Sequence, residues 1–432
     1  MNRRELLGAG AALLAAPVYA AARSRNFPKN FLWGASTAGH QVEGNNVNAD
    51  VWLLENIKPT TYAQRSGDAV NSFELWPEDL DLVTRFGLNS YRFSLEWARI
   101  EPEQGMFSIA MLDHYKAMIE GCRRRGITPV VTFNHFTTPR WFASQGGWTN
   151  EGAPALFARF CDRAARHLAA HIGYATTLNE PNLPQVLRPI LPPGRIEQQR
   201  KMLIAAARMT GSVKYSAGNA IDYADIAVVT RNLIAAHHAG RTAIKSVRPE
   251  LEVGVSLAVI DDQAAPGGEK RRDAVRAELY GDWLEAVRQD DFVGVQNYER
   301  AIWGTDGKLP APAGAELNAF RQEVYPASLA GAVRYVHQAT GVPILVTEHG
   351  VVTKDDKVRA RFIPAALSHL KAAIDDGVPV KGYLHWSLLD NFEWALGFWP
   401  TFGLVDVDRT TFRRTPKPSA AVLGTIARHN SL

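Results

Sequence analysis

Short runs of apolar and β-branched residues recur along the chain, and longer segments in which apolar residues repeat with helical spacing separate most of them. A run that is apolar on both faces is typical of a strand buried in a parallel sheet, because helices cover both sides of such a sheet. The pattern predicts eight buried strands, at residues 31–37, 89–97, 129–136, 174–180, 252–259, 291–298, 343–349 and 380–388. It predicts seven helices between them, at residues 77–86, 110–125, 154–171, 226–247, 272–288, 328–340 and 359–376.

Strands that alternate with helices over eight repeats are the signature of an α/β fold of the (β/α)8 TIM-barrel type. Such a barrel takes roughly 250 to more than 400 residues as one unit. One domain at residues 23–432 therefore accounts for almost the whole chain. A doubly wound open sheet is the alternative fold, but no GxGxxG or other glycine-rich phosphate loop follows the first strand. We therefore expect a single-domain barrel.

One connection is much longer than the others. It covers residues 183–223, directly after the fourth predicted strand, and it is rich in proline. Two shorter polar loops, at residues 261–270 and 305–314, follow later strands. Loops after the strands of a barrel lie at its catalytic face, so we expect these long loops to wall a pocket or to act as a lid.

Residues 1–22 have the features of an export signal. Arg3 and Arg4 precede a short apolar run that ends in Tyr19-Ala20-Ala21-Ala22. A basic start, an apolar centre and small residues at a cleavage site characterise signal peptides, and the arginine pair resembles the twin-arginine signal. A membrane anchor or a buried helix is the alternative, but glycine and proline interrupt a run that is too short to span a bilayer. We expect a periplasmic or secreted bacterial protein with no membrane span.

Composition and charge narrow the class of protein. The chain is 46% apolar and 21% charged with a formal charge of +4, which implies no basic face for nucleic acid. His, Cys and carboxylate residues show no metal-ligand spacing, since the adjacent His237 and His238 point to different faces of a helix, and no metal or cofactor is expected. Cys122 and Cys161 lie in predicted helices without CxxC spacing. Buried free thiols are the favoured interpretation, and a disulfide is the alternative in an oxidising compartment.

Two glutamates end predicted strands that are far apart in sequence. Glu348 follows the apolar run that begins at Pro343, and Glu180 ends the strand at residues 174–180. The carboxyl ends of barrel strands converge on one face, so both carboxylates are expected in one pocket. Paired carboxylates are typical of glycoside hydrolysis. The 11 Trp residues agree with a carbohydrate site, because the C–H face of a sugar stacks on an aromatic ring.

Seven motifs in a characteristic order surround these glutamates: Asn30-Phe31-Leu32-Trp33-Gly34-Ala35, Gln41-Val42-Glu43-Gly44, Tyr91-Arg92-Phe93-Ser94, Thr177-Leu178-Asn179-Glu180-Pro181, Val346-Thr347-Glu348, Trp386-Ser387-Leu388-Leu389-Asp390-Asn391-Phe392-Glu393-Trp394 and Phe402-Gly403-Leu404. Each motif alone is modest, but their order and spacing together are highly specific. From about Phe27 to the C-terminus, the chain resembles glycoside hydrolase family 1, the β-glucosidase family.

The resemblance implies a retaining exo-β-glycosidase, foremost a β-glucosidase, that needs no cofactor and acts on a small β-glycoside or oligosaccharide. It implies that Glu180 is the acid/base and Glu348 the nucleophile, and that Arg92 and Tyr298 hold the nucleophile. Retention requires the two carboxyls roughly 5 Å apart and in opposite protonation states. The sugar-binding residues that the resemblance implies are Gln41, His135, Asn179, Gln296, Trp386, Glu393, Trp394 and Phe402.

Some positions depart from the family pattern: His349 replaces an Asn after the nucleophile, Phe136 replaces a Trp beside His135, and Gln296 with Asn297 replaces an Asn and a Tyr. The longer side chain of Gln296 leaves its contact near the carboxylates open. Family members that take 6-phosphorylated sugars usually carry a Ser, Lys and Tyr set in place of the pair Glu393-Trp394, which is present here. A non-phosphorylated sugar is therefore expected.

Two other functions fit the same scaffold. A transglycosidase differs only in whether water or a sugar hydroxyl resolves the glycosyl-enzyme, and the sequence does not separate the two. A non-catalytic sugar-binding protein is disfavoured, because both Glu180 and Glu348 are present.

Overall fold

A closed barrel of eight parallel strands forms the centre of the molecule. The computed structural model describes residues 26–432, so the predicted export signal at residues 1–22 lies outside the described part of the chain. The strands are β1 (Leu32–Ser36), β2 (Ser90–Ser94), β3 (Thr128–Asn134), β4 (Tyr174–Asn179), β5 (Glu252–Ala258), β6 (Val293–Asn297), β7 (Ile344–His349) and β8 (Val380–Trp386). Each strand pairs with its neighbours in sequence, and β1 closes the barrel by pairing with β8.

Eight helices alternate with the strands and cover the outside of the barrel. They are α1 (Ser72–Arg85), α2 (Ile109–Arg124), α3 (Ala153–Leu168), α4 (Ile226–Val247), α5 (Glu269–Ala286), α6 (Ser328–Thr340), α7 (Asp356–Asp375) and α8 (Pro418–His429). The predicted (β/α)8 barrel is therefore confirmed, and all eight strands and seven of the helices lie where the apolar pattern predicts them.

The eighth helix and the start of the first were not predicted. Helix α8 begins at Pro418, a residue that suits a first helical turn, and the backbone N–H and the hydroxyl of Ser419 both donate to Asp356 at 2.7 Å. Helix α1 begins at Ser72 rather than at Pro77, which lies in its second turn. The Ser72 hydroxyl donates to Asp79, two helical turns further on, at 2.7 Å. The sequence favours a start at Pro77 because proline is common in a first helical turn, and this side-chain contact is not visible in the sequence.

Several strands end earlier than predicted, because the chain turns away from the sheet at the catalytic face. Phe136 after β3 and Glu180 after β4 have positive φ angles of 65° and 42°. A β-strand requires negative φ angles, so neither strand can continue through these residues. Glu180 is thus the first residue outside β4, and its backbone N–H donates to Ser256 of β5 at 2.8 Å.

The long loops have structure of their own. The segment at residues 183–223 contains the helices Leu183–Leu187 and Pro193–Thr210. The second of these helices packs on the helix Asp50–Asn56 in a small apolar cluster that is separate from the main core. The strands Asp261–Ala264 and Arg300–Trp303 extend β5 and β6 outward and pair with each other in parallel. The loops at the catalytic face therefore contain helices and paired strands of their own.

The remaining predictions about the fold concern thiols and membranes. Cys122 and Cys161 are both buried and free. Burial raises the pKa of the Cys122 thiol to about 12, so this thiol is unreactive at neutral pH. Within residues 26–432, no helix combines the length and the apolar character needed to cross a membrane.

Candidate active site

A cavity of about 530 Å³ opens at the carboxyl ends of the barrel strands. Ten of the twelve site residues predicted from the sequence line it: Gln41, His135, Glu180, Gln296, Tyr298, Glu348, Trp386, Glu393, Trp394 and Phe402. The other two contact this set from the middle of β2 (Arg92) and the end of β4 (Asn179). The structure thus brings all twelve residues into one site.

Glu348 is held through both of its carboxylate oxygens. The Arg92 guanidinium donates to Oε1 at 2.7 Å, and the Tyr298 hydroxyl donates to Oε2 at 2.7 Å. Burial raises the pKa of Glu348, and the positive charge of Arg92 together with these hydrogen bonds opposes the rise. Hydrogen bonds from a charged donor favour the carboxylate form, and the two donors also fix its orientation.

Glu180 is in a different electrostatic position. Burial raises the pKa of Glu180 well above its usual value, and the negative charges of Glu348 and Glu393 raise it further, against a smaller opposing effect of Arg92. Two nearby carboxyls do not both ionise readily, and the one that binds cationic and hydroxyl donors ionises first. The surroundings therefore favour the carboxylate form at Glu348 and the protonated form at Glu180.

A hydrogen-bonded chain connects side chains of β2, β4 and β6 next to the two carboxyls. The Oδ1 atom of Asn179 accepts from Arg92 at 2.5 Å and from the amide of Gln296 at 2.8 Å. A hydrogen bond from Gln296 also opposes the rise in the pKa of Glu348. The longer Gln296 side chain thus hydrogen-bonds Asn179, the residue directly before Glu180, and its effect on the carboxyls is on the pKa of Glu348.

Aromatic rings and polar side chains form the inner end of the cavity. The ring of His135 stacks on Trp386 and Trp394, with centroids 5.9 and 6.1 Å apart. Burial and the charge of Arg92 lower the pKa of His135 well below its usual value, so the imidazole is neutral. Trp386 donates through its indole N–H to Glu393 at 3.3 Å. Burial raises the pKa of Glu393 to about 8.

Four buried polar atoms in this region have no hydrogen-bond partner within the described residues: Gln41 Oε1, His135 Nδ1, Asn179 Nδ2 and Gln296 Oε1. An unpaired buried polar group costs about 1–3 kcal/mol. Such groups at one place in a cavity indicate a ligand that supplies the missing donors and acceptors. A sugar, with several hydroxyls that both donate and accept, matches this set.

The sequence reasoning missed one residue that supports the inner end. His40 stacks on Trp394 with ring centroids 5.7 Å apart and planes within 6°. Its Nε2 lies 2.8 Å from Glu55 Oε1. Burial lowers the pKa of His40, but the hydrogen bond and charge of Glu55, with further help from Glu96, outweigh burial and leave the pKa raised. The only signal in the sequence was its place directly before Gln41.

Comparison with known proteins agrees with this geometry. The profile of Glycosyl hydrolase family 1 matches residues 23–300 and 291–432. Beta-glucosidase A of Thermotoga maritima is 28% identical over 94% of this chain and 99% of its own length. Among solved structures, beta-glycosidase BGL167 is 46% identical with a TM-score of 0.89, covering 94% of this chain and 98% of its own. An apo beta-glucosidase, 1317, is 42% identical with a TM-score of 0.88, covering 92% and 98%. Profile, relatives and barrel agree that the chain belongs to glycosyl hydrolase family 1 and is a glycoside hydrolase.

Proposed function

We propose that this protein is a retaining, exo-acting β-glycosidase, foremost a β-glucosidase, that hydrolyses terminal non-reducing β-D-glucosyl residues through a covalent glycosyl-enzyme. One observation carries the proposal. Two carboxyls share the cavity, and only Glu348 of the two receives hydrogen bonds from both Arg92 and Tyr298. That asymmetry supports one carboxyl as nucleophile and the other as acid, the division of labour that a retaining mechanism needs.

In the first step, a Glu348 oxygen attacks the anomeric carbon while the bond from that carbon to the leaving oxygen breaks. Glu180 gives its proton to the leaving oxygen, so an alcohol departs and not an alkoxide. The product is a glycosyl ester of Glu348 with inverted anomeric configuration. Tyr298 and Arg92 keep Glu348 ionised and aimed before the attack.

In the second step, the ester has removed the negative charge of Glu348, one of the charges that raised the pKa of Glu180. The pKa of Glu180 therefore falls, and the carboxylate accepts a proton from the attacking water. The water oxygen bonds to the anomeric carbon as the ester bond breaks, which restores the β configuration. Glu348 returns as carboxylate and Glu180 as acid.

The inner end of the cavity supports a preference for a terminal, non-phosphorylated sugar. The unpartnered atoms of Gln41, His135, Asn179 and Gln296 suit the hydroxyls of one terminal sugar. Relatives with full-length matches are named beta-glucosidase. Glu393 and Trp394 stand where family members that take 6-phosphorylated sugars usually carry a Ser, Lys and Tyr set, so turnover of β-glucosides, weaker turnover of β-galactosides, and none of 6-phosphoglycosides is expected.

Azide tests the assignment of the two glutamates. Glu348→Ala should abolish turnover, and added azide should attack from the vacated face to give the α-glycosyl azide. Glu180→Ala should slow substrates with poor leaving groups far more than activated aryl glycosides, because an activated phenolate hardly needs a proton. Azide should then intercept the intact glycosyl-enzyme of this variant and give the β-glycosyl azide. Product configuration is read by NMR.

A matched control is Glu197→Ala, which removes an exposed carboxylate from the helix Pro193–Thr210 and should leave turnover and products unchanged. Azide products with the two configurations exchanged would reverse the roles of Glu180 and Glu348. Turnover that survives Glu348→Ala without azide would refute the covalent mechanism.

We also propose that the enzyme acts outside the cytoplasm of a bacterium. The support is the order of features at its start: Arg3 and Arg4, a short apolar run, and small residues up to Ala22.

A further inference from the structure

The cavity continues beyond the catalytic glutamates into a second region, which we call the outer pocket. Six apolar side chains line it: Leu183, Val186, Leu187, Ile190, Leu191 and Phe320. Five of the six lie in the segment from Leu183 to Leu191, shortly after Glu180 in the chain. The segment that lines the outer pocket therefore starts beside the proposed acid, whereas the unpartnered polar atoms described above lie at the inner end of the cavity.

The start of this segment is tightly held. The Asn182 amide donates to the Ala258 carbonyl at 2.8 Å, and its Oδ1 accepts from the Ala258 N–H at 3.0 Å. The Leu183 N–H donates to the Glu180 carbonyl at 2.9 Å. The helix Leu183–Leu187 thus begins at a fixed place beside Glu180. A group that takes a proton from Glu180 must lie within hydrogen-bonding distance of it, so the outer pocket flanks the leaving group.

Several polar side chains that line the outer part of the cavity already have partners in the protein, whereas the exposed Arg195 has none within the described residues. The Gln199 amide donates to the Ile221 carbonyl at 2.7 Å. Asn219 Oδ1 accepts from the Tyr62 hydroxyl at 3.1 Å. These groups differ from the unpartnered atoms at the inner end, because binding a sugar hydroxyl would require them to exchange an existing hydrogen bond.

Polar side chains near Phe320 also have partners in the protein. Asn318 Oδ1 accepts from the backbone N–H groups of Phe320 at 2.9 Å and Gln322 at 3.0 Å. Glu299 forms an ion pair with Lys308 at 3.7 Å. A second sugar here would give up its hydrogen bonds to water and find, apart from the guanidinium of Arg195, few free donors or acceptors in exchange. An apolar group would lose no hydrogen bonds and would cover apolar surface.

We propose that the leaving group of the natural substrate is an apolar alcohol or phenol, carried as an alkyl or aryl β-glycoside, and not a second sugar. The inference rests on the proposed function for the identity of the end that receives the leaving group. Ile190 is 52% exposed in the free protein, so a bound alkyl chain or ring would remove apolar surface of this side chain from water.

Binding of 1-thio-β-D-glucosides, whose sulfur link resists hydrolysis, tests the inference without turnover. Calorimetry of the full chain is carried out with the methyl, butyl, hexyl and phenyl thioglucosides and with the sulfur-linked analogue of cellobiose. Kd should fall along the alkyl series, by up to about fourfold for each buried methylene. The phenyl compound should bind more tightly than the methyl compound, and the cellobiose analogue no more tightly than the methyl compound.

Ile190→Asn replaces one exposed apolar side chain of the outer pocket and should reduce the ratio of methyl Kd to hexyl Kd by about threefold or more. The control Ile204→Asn makes the same change at a residue that is 45% exposed on the helix Pro193–Thr210 and does not line the cavity, and the ratio should stay as in wild type. Equal Kd values along the alkyl series, or tightest binding of the cellobiose analogue, would overturn the inference.

Failure of the proposed function has a different signature. A wild-type protein that binds the series in the expected order but cleaves no 4-nitrophenyl β-glycoside would contradict the glycosidase mechanism and support the apolar outer pocket. A protein that cleaves the aryl glycoside but binds the cellobiose analogue most tightly would support the glycosidase mechanism and contradict the apolar leaving group.

Discussion

At the scale of single residues, the two oxygens of Glu348 have separate donors with separate effects. Arg92 is fully buried in the middle of β2 and supplies charge, whereas Tyr298 supplies a neutral hydroxyl from just beyond β6. Each stabilises the carboxylate against burial, which raises the pKa of Glu348. Removal of the hydroxyl alone therefore changes the protonation of Glu348 while the charge of Arg92 remains.

Tyr298→Phe should shift the acid limb of the pH profile of kcat/KM to higher pH by about one unit. Loss of the hydrogen bond leaves burial less opposed, so the pKa of Glu348 rises and the nucleophile is protonated at pH values where wild type is ionised. The basic limb, which reports Glu180 in its acid form, should move less. The profile is measured with 4-nitrophenyl β-D-glucoside.

Tyr335→Phe is the matched control, because this tyrosine lies on α6 and outside the cavity. Its profile should coincide with that of wild type. An acid limb that stays in place in Tyr298→Phe would mean that the hydroxyl does not control the ionisation of Glu348.

At the scale of elements, the end of β3 depends on the long segment after β4. A Cβ atom built on Gly218 would lie 1.6 Å from the backbone oxygen of Phe136. The Gly218 N–H donates to Asp50 at 2.7 Å. The segment therefore touches the backbone next to His135, and only a residue without a side chain fits between them.

Gly218→Ala should destabilise the protein by about 2 kcal/mol or more, since backbone atoms on both sides must move apart. The shift of Phe136 should also raise KM, because His135 adjoins it at the inner end of the cavity. Urea unfolding and steady-state kinetics measure the two effects.

Gly194→Ala is the control at this scale. Gly194 lies in the first turn of the helix Pro193–Thr210, and a Cβ atom there would meet nothing within 4 Å. Alanine favours a helix over glycine, so this variant should be as stable as wild type or slightly more so. Equal stability of Gly218→Ala and Gly194→Ala would refute the close contact with Phe136.

At the scale of the whole molecule, the proposed export signal would place the enzyme and its substrate outside the cytoplasm. N-terminal sequencing of the native protein should find a start near residues 21–23. Lysines in place of both Arg3 and Arg4 should keep the precursor in the cytoplasm, because the arginine pair is the recognised feature of this signal. The same double change at Arg271 and Arg272, in the barrel domain, should leave export intact. An active cytoplasmic enzyme that retains Met1 would refute the prediction.

The sequence by itself determined the barrel and the shared position of the two glutamates proposed to be catalytic. Runs such as Ile344–His349 are apolar on both faces, and this local property is sufficient to indicate a buried parallel strand. Strand ends in a barrel converge, so Glu180 and Glu348 could be placed in one pocket although 168 positions separate them. The family motifs then named the other ten residues, all of which the structure brings to the same site.

Only the tertiary structure decided which atoms meet. The family resemblance implied that Arg92 holds Glu348, 256 positions away, but only the structure shows that the guanidinium donates to Oε1 at 2.7 Å. The stacking of His40 on Trp394 depends on the same long-range packing, as does the hydrogen bond from the Gln296 amide to Asn179. The contrast between unpartnered polar atoms at the inner end and satisfied ones around the outer pocket also exists only in three dimensions, because a side chain's hydrogen-bond partners come from distant segments.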